Sequence, residues 1–381
     1  MTEHLDYEFP LQSGLVYLNH AAVGVWSRRT AEAVHTFADE NMFQGATDYP
    51  KWMKVEQSLR QQLTELIHAE SIDDIALLKN TSEGLSIVAY GMDWHIGDNL
   101  VISNQEFPSN RIVWQSLKSQ GVEVRIADIA CDDPEAAMLA CCDANTRLLS
   151  VSSVQYGTGL RMDLQRLGEA CQQHGIFFCV DAIQSLGALD MDVQAIHADA
   201  VIADAHKWLL GPEGLAVFYI SPAWRERLKL HQFGWHMIED IGNFDATSWQ
   251  AATSARRFEA GSPNMLGIHA LHASLALLLE IGMSNIERMV LERTSALIDM
   301  VLEDKQLELV SPSQWQRCSG IVTFRFKTMN HQEHIMLYQQ LMQKRVICAY
   351  RAGGIRFAPH FYTPYACFDE AWSRMIACYN A

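Results

Sequence analysis

Through the middle of the chain, short apolar runs alternate with segments in which apolar residues recur every three or four positions. The runs DNLVISN, VEVRIAD, TRLLSVSSV, IFFCVDA, ADAVIAD and GLAVFYI read as strands. They are apolar on both faces, as parallel strands covered by helices on each side require. Between them, DLQRLGEACQQHG sets Leu164, Leu167 and Cys171 at helical spacing, and Gly175 closes the segment. The alternation predicts an α/β fold with a mostly parallel sheet. From about Ser262 the pattern changes to the long helices LGIHALHASLALLLEIG and IERMVLERTSALIDMVLED. Strand candidates SGIVTFRF and RVICAYR follow, with an amphipathic helix between them. The predicted organisation is an N-terminal arm over 1–20, a large domain over 21–260 and a small α+β domain over 261–381.

Composition narrows the class. At 381 residues the chain exceeds the ~250–300 at which one core stops growing, so two domains are expected. A formal net charge of −16 argues against a nucleic-acid surface, which needs clustered Lys and Arg. The opening MTEHLDYEFPLQSG lacks the basic-then-apolar pattern of a secretory signal. No run approaches the ~20 apolar residues of a membrane span. The nine cysteines include no CxxC pair and sit mostly in apolar contexts. They read as reduced core thiols of a cytoplasmic protein.

Candidate chemistry gathers at strand ends. DAHKWLLGPEG puts Lys207 just after the strand ADAVIAD, where open α/β sheets collect ligands. Beside Trp208 and Leu209 its amine can lose hydration, drop in pKa and attack a carbonyl. Read alone, a loop lysine is a solvated charge. VDAIQSLGA, however, puts Asp181 at the end of another apolar strand, 26 positions earlier. A carboxylate buried there needs a partner. A protonated pyridine nitrogen would serve, and the charged ring is an electron sink for a carbanion at Cα. Gln184 could offer its amide to the ring oxygen, although an N-cap would equally explain Asp181. KNTSEG places Thr81, Ser82 and Gly84 at a predicted helix start, a phosphate cup or an ordinary cap. Phe107 in EFPSN could lie flat on the ring or belong to the core.

VYLNHAAVG, NTSEG, EFPSN, VDAIQSLGA, HKWLLGPEG, RFEAGSPN and IRFAPHFYTP, in this order, span nearly the whole chain. The set resembles the class V aminotransferase family of pyridoxal-phosphate enzymes. Within it the likeness is greatest to the isopenicillin N epimerase-like and cysteine desulfurase-like branch. The resemblance implies fold type I: a mostly parallel, seven-stranded type of sheet with helices on both faces, and a smaller C-terminal α+β domain. It implies pyridoxal 5'-phosphate on Lys207 as a Schiff base, with Lys207 then moving the Cα proton. His206 would sit near the phosphate or substrate, and Phe107 would take the ring-stacking position. Ser262 matches a threonine that reaches the phosphate of a neighbouring subunit, implying a homodimer with shared sites. Arg356 matches the arginine that grips the substrate α-carboxylate, a task suited to a planar guanidinium. Arg351 is a second candidate, and Asn19 and His20 would line the substrate side.

Three departures matter. Desulfurases carry a nucleophilic cysteine in a loop before the carboxylate-binding arginine, and RVICAYRAGGIRF has no room for it. Cys348 lies in an apolar strand pattern instead, so persulfide chemistry is disfavoured. Asp204 stands where relatives have a phosphate-binding serine; it is expected to point away or pair with an arginine. Tyr156 replaces an asparagine near the ring oxygen. The leading expectation is an aminotransferase or lyase acting on an amino acid. An epimerase would need a second acid/base opposite Lys207, with Tyr156, His20 or His236 as candidates. A β-eliminating C–S lyase needs only Lys207. A non-catalytic cofactor-binding protein is disfavoured, since no residues remain for a helix-turn-helix domain.

Overall fold

The computed structural model describes residues 2–380. An N-terminal arm carries α1 (Thr2–Glu8) and β1 (Val16–Tyr17), followed by α2 (Arg28–Gln44) and α3 (Tyr49–Leu66). The central layer is built by β2 (Ile75–Leu78), α4 (Thr81–Gly91), β3 (Asn99–Ser103), α5 (Ser109–Gln115), β4 (Glu123–Ala127) and α6 (Pro134–Ala140). It continues through β5 (Thr146–Ser152), α7 (Leu164–His174), β6 (Phe177–Asp181), β7 (Ala200–Asp204), β8 (Ala216–Ile220) and α8 (Pro222–Arg225). Two long helices follow, α9 (Met265–Ile281) and α10 (Met283–Glu303). The chain ends in β9 (Leu307–Leu309), β10 (Val322–Phe326), α11 (His331–Gln343), β11 (Val346–Ile347), β12 (Ala349–Arg351), β13 (Gly354–Phe357) and α12 (Ala366–Tyr379).

Seven strands form one sheet in the order β2-β8-β7-β6-β5-β3-β4, and only β8 runs against its neighbours. This is the mostly parallel sheet that the doubly apolar runs require. Successive side chains leave opposite faces. Phe178, Val180, Val201 and Ala203 pack with α3 and α7 in one core, and Phe177, Cys179, Ala200 and Ile202 with α4 and α5 in another. The same alternation carries Asp181 and Asp204, the last residues of β6 and β7, to the α4 side. As the spacing predicts, α7 ends at Gly175, whose φ of +66° suits a residue without Cβ.

The C-terminal sheet is antiparallel, in the order β12-β13-β10-β9. The sequence reading anticipates β10 and the β11–β12 region but not β9 or β13. β13 is hidden because β12 turns into it through only Ala352 and Gly353, both at positive φ. The N-terminal arm joins this half: β1 pairs with β11 in parallel, and Asn19 bridges to Ala358. Among the described residues no single helix is long and apolar enough to cross a membrane; α9 and α10 meet at 83°, and the apolar length of α9 is buried in the protein core.

Candidate active site

A cavity of about 260 Å³ opens at the carboxyl ends of β6 and β7, lined by Lys207, Asp181, Asp204, Tyr156, Phe107 and Arg356, among others. The loop bearing Lys207 is held from several directions. Gly24 N–H donates to the His206 carbonyl at 2.6 Å, and His360 Nε2 contacts the Trp208 carbonyl at 3.0 Å. A Cβ on Gly24 would lie 2.1 Å from the Lys207 carbonyl oxygen, so this close approach admits only glycine. Trp208 Nε1 donates to Gln184 Oε1 at 3.0 Å, tying the lysine loop to the turn after Asp181.

Burial dominates the electrostatics. It pushes the Asp181 carboxyl up to about 7, with the Ile183 amide opposing. It draws the Lys207 amine down to about 8, against the pull of Asp181. It also lowers the Arg356 guanidinium to about 9. Arg356 donates to the Tyr156 carbonyl at 2.7 Å and to Asn19 Oδ1 at 3.4 Å, while its Nε has no hydrogen-bond partner. His206 Nδ1 is likewise buried without one. Lys207 Nζ lies 5.6 Å from the centre of the Phe107 ring, which meets Tyr156 edge-on at 5.2 Å.

The helix start is more specialised than the sequence suggests. Asn80, not Thr81 or Ser82, caps α4 by accepting from the Glu83 amide. The Thr81 and Ser82 hydroxyls are therefore spared for other work. Ser82 donates to Ser109 at 2.9 Å, and both line the cavity. Thr81 donates through its amide and its hydroxyl to Asp204. The expectation that Asp204 points away or pairs with an arginine does not hold. Strand alternation drives it into the cavity wall, where an amide and a hydroxyl meet it.

Other expectations are also redrawn. His20 is fully buried and does not line the cavity; its ring contacts the Ala358 carbonyl at 2.8 Å and Tyr362 Oη at 2.7 Å. Asn19 sits behind Arg356. The Gln184 amide is committed on both sides, to Trp208 and to the Ala21 carbonyl at 3.0 Å. His236 lies apart from the cavity, 3.5 Å from Glu259. Ser262 is exposed in a separate groove of about 290 Å³. Not anticipated from the sequence were Ser109, which lines the cavity, and Glu106. Glu106 is buried behind Phe107 and accepts from Ser103, Asn110, Ser152 and Gln155. Its place immediately before Phe107 in EFPSN was the available signal. A larger cavity of about 540 Å³ lies elsewhere, but its two arginines are taken by Glu287 and Glu135.

A buried amine, a proton-hungry carboxylate, an orphaned guanidinium nitrogen and a hydroxyl-rich helix start form a donor set that fits pyridoxal phosphate. Fold and site together define a pyridoxal-phosphate enzyme of fold type I. The aminotransferase class-V family model matches residues 17–354, and the chain belongs to that family. A probable cysteine desulfurase of Pyrococcus abyssi is 29% identical over 84% of this chain and 81% of its own. An uncharacterized aminotransferase of Bacillus subtilis, YcbU, is 29% identical over 94% of each chain. The cystine C-S lyase C-DES, solved with its reaction product cysteine persulfide, superposes with a TM-score of 0.88 at 22% identity, over 97% of this chain and 98% of that one.

Proposed function

We propose that this class V enzyme is a lyase that eliminates a sulfur leaving group from the β carbon of a cysteine-like amino acid. The observation that carries the reading is the cysteine inventory around Lys207. Among the described residues no cysteine lines the cavity, and burial pushes the Cys348 thiol up to about 12. A desulfurase must carry sulfur away on its own thiolate, whereas elimination needs only a base and a leaving group. The curated relatives include cysteine desulfurases and the structural neighbours include a cystine C–S lyase, so C–S cleavage is the theme they share.

Bound pyridoxal phosphate supplies an aldehyde for amines and an electron-withdrawing ring. Lys207 would hold the group through Nζ and, freed by the substrate, would serve as the base at Cα. The Asp181 carboxylate would accept from the protonated ring nitrogen, which would relieve its burial. Arg356 clamps the α-carboxylate and fixes the direction of the Cα–H bond. His206, Thr81 and Ser82 would hold the phosphate, and Phe107 and Tyr156 would wall the ring. Cystine and one water would give cysteine persulfide, pyruvate and ammonia, the electron pair of the broken C–S bond leaving on sulfur. Of the three groups considered for a second acid/base, only Tyr156 lines the cavity, which disfavours epimerisation. A homodimer completes the proposal, because Ser262 lies outside its own cavity, exposed where a neighbouring subunit could reach it.

Incubation with cystine and with cysteine tests this. Pyruvate and ammonia with persulfide in solution are expected from cystine. Alanine with persulfide on the protein would identify a desulfurase, and keto acid formed only with an added acceptor an aminotransferase; either would overturn the reading.

A further inference from the structure

Asn80 already caps α4, yet the Asp204 carboxylate accepts both the Thr81 amide, at 2.5 Å, and the Thr81 hydroxyl, at 3.3 Å. These donors belong to the helix start assigned above to the cofactor phosphate, and the inference rests on that assignment. A carboxylate and a phosphate dianion cannot share them without repulsion. We propose that Asp204 competes with the cofactor phosphate and releases the start of α4 only on taking up a proton. The uncharged acid then donates its O–H to a phosphate oxygen, so binding draws one proton from solvent.

The surroundings favour this exchange. Burial holds the Asp204 carboxyl up at about 6, so near neutral pH it is charged but close to titrating. Lys207 opposes this shift and Glu213 adds to it. From β6, Asp181 faces it closely enough to be raised by its charge. His206 Nδ1 is 3.5 Å from its second oxygen, and Arg351 and Arg356 line the same cavity from the β12–β13 hairpin. Among the described residues no arginine reaches hydrogen-bond distance of Asp204, and burial keeps the nearby His206 ring neutral, so protonation is the available route to neutrality.

The test is cofactor binding to the full-length apoprotein between pH 5.5 and 8.5. Pyridoxal phosphate is compared with pyridoxal, which lacks the phosphate, and calorimetry in buffers of different protonation enthalpy counts protons. Above about pH 6 the wild type should lose affinity for pyridoxal phosphate, relative to Asp204→Asn, by up to ~10-fold per pH unit, the limit for one proton. At pH 8 the gap approaches ~100-fold, and about one proton is taken up by the wild type but not by the variant. Pyridoxal should bind both proteins alike. Asp204→Ser, which restores a hydroxyl, should bind as tightly as Asp204→Asn and guards against a folding fault in either. Parallel curves for wild type and both variants, with Ser82→Ala still weakening pyridoxal phosphate selectively, would sink the proposal alone. A Ser82→Ala protein with an unchanged preference for the phosphorylated ligand would sink the phosphate assignment and the proposal together.

Discussion

Arg60 and Lys207 are buried cations of one molecule, each 8% exposed, and their surroundings are opposite. Arg60 donates to both oxygens of Glu259, to Glu56 and to the Ile75 carbonyl, all within 2.8 Å. Burial works against its charge, but Glu259 and Glu56 more than offset this and raise its pKa. Lys207 faces a cavity shared with Asp181, and its pKa falls. Glu259 also reaches the Leu77 amide of β2, so the Arg60 cluster locks α3 to the sheet. Buried charges that satisfy one another hold a fold. Buried charges turned towards a cavity are held ready for a ligand, and the protein carries their desolvation until it arrives.

Breaking each side should therefore cost different things. Lys207→Ala should lower turnover by roughly 10³–10⁴-fold or more, with no loss of apoprotein stability; pre-steady-state assays and urea titration together read this. Arg60→Met should do the reverse, destabilising by about 3–5 kcal/mol in urea because two buried carboxylates lose their partner. A change below about 1 kcal/mol would erase the contrast. Asp181→Asn sharpens it. An acid whose pKa is raised in the fold favours the neutral form, so its stabilising share is present at low pH and lost as pH rises through about 7. The cofactor-free wild type should thus weaken between about pH 4 and 7 relative to Asp181→Asn, by about 1–3 kcal/mol at pH 8, while the variant loses turnover. Equal thermal melts across that range would contradict the assignment. Smallest is Asn80→Ala: removing the cap of α4 should cost about 1 kcal/mol and leave the pH behaviour of Asp204 intact.

The strand ends carrying Lys207 and Asp181 were legible because each follows an uninterrupted apolar run, and the intervening length fits one crossover. Legibility fails where a partner is remote. His20 reads as a substrate contact in YLNHAA, yet its ring is held by Ala358 and Tyr362, 338 and 342 positions away. Gln184 reads as a free amide until Trp208 arrives from the next strand end. Asp204 is different, since ADAVIAD already contains its answer. Counting by twos from Ala200 and Ile202 places it on the helix-covered face with α4. The expectation that it points away or pairs with an arginine overlooks that alternation, and with it the relief that a change of protonation offers.

The pairing of β1 with β11, and of Asn19 with Ala358, means that the two ends of the chain meet beside the reaction centre. Arg356 is delivered by the last strand and steadied by Asn19 near the beginning. Contacts of such range form late in folding. A chain cut short of β13 lacks both the Arg356 guanidinium and His360, which braces the carbonyl next to Lys207. Chains truncated before residue 350 should accordingly bind the cofactor more weakly and fail to respond to amino acids. Asn19 and Arg356, 337 positions apart, must therefore close on each other before a substrate can be gripped.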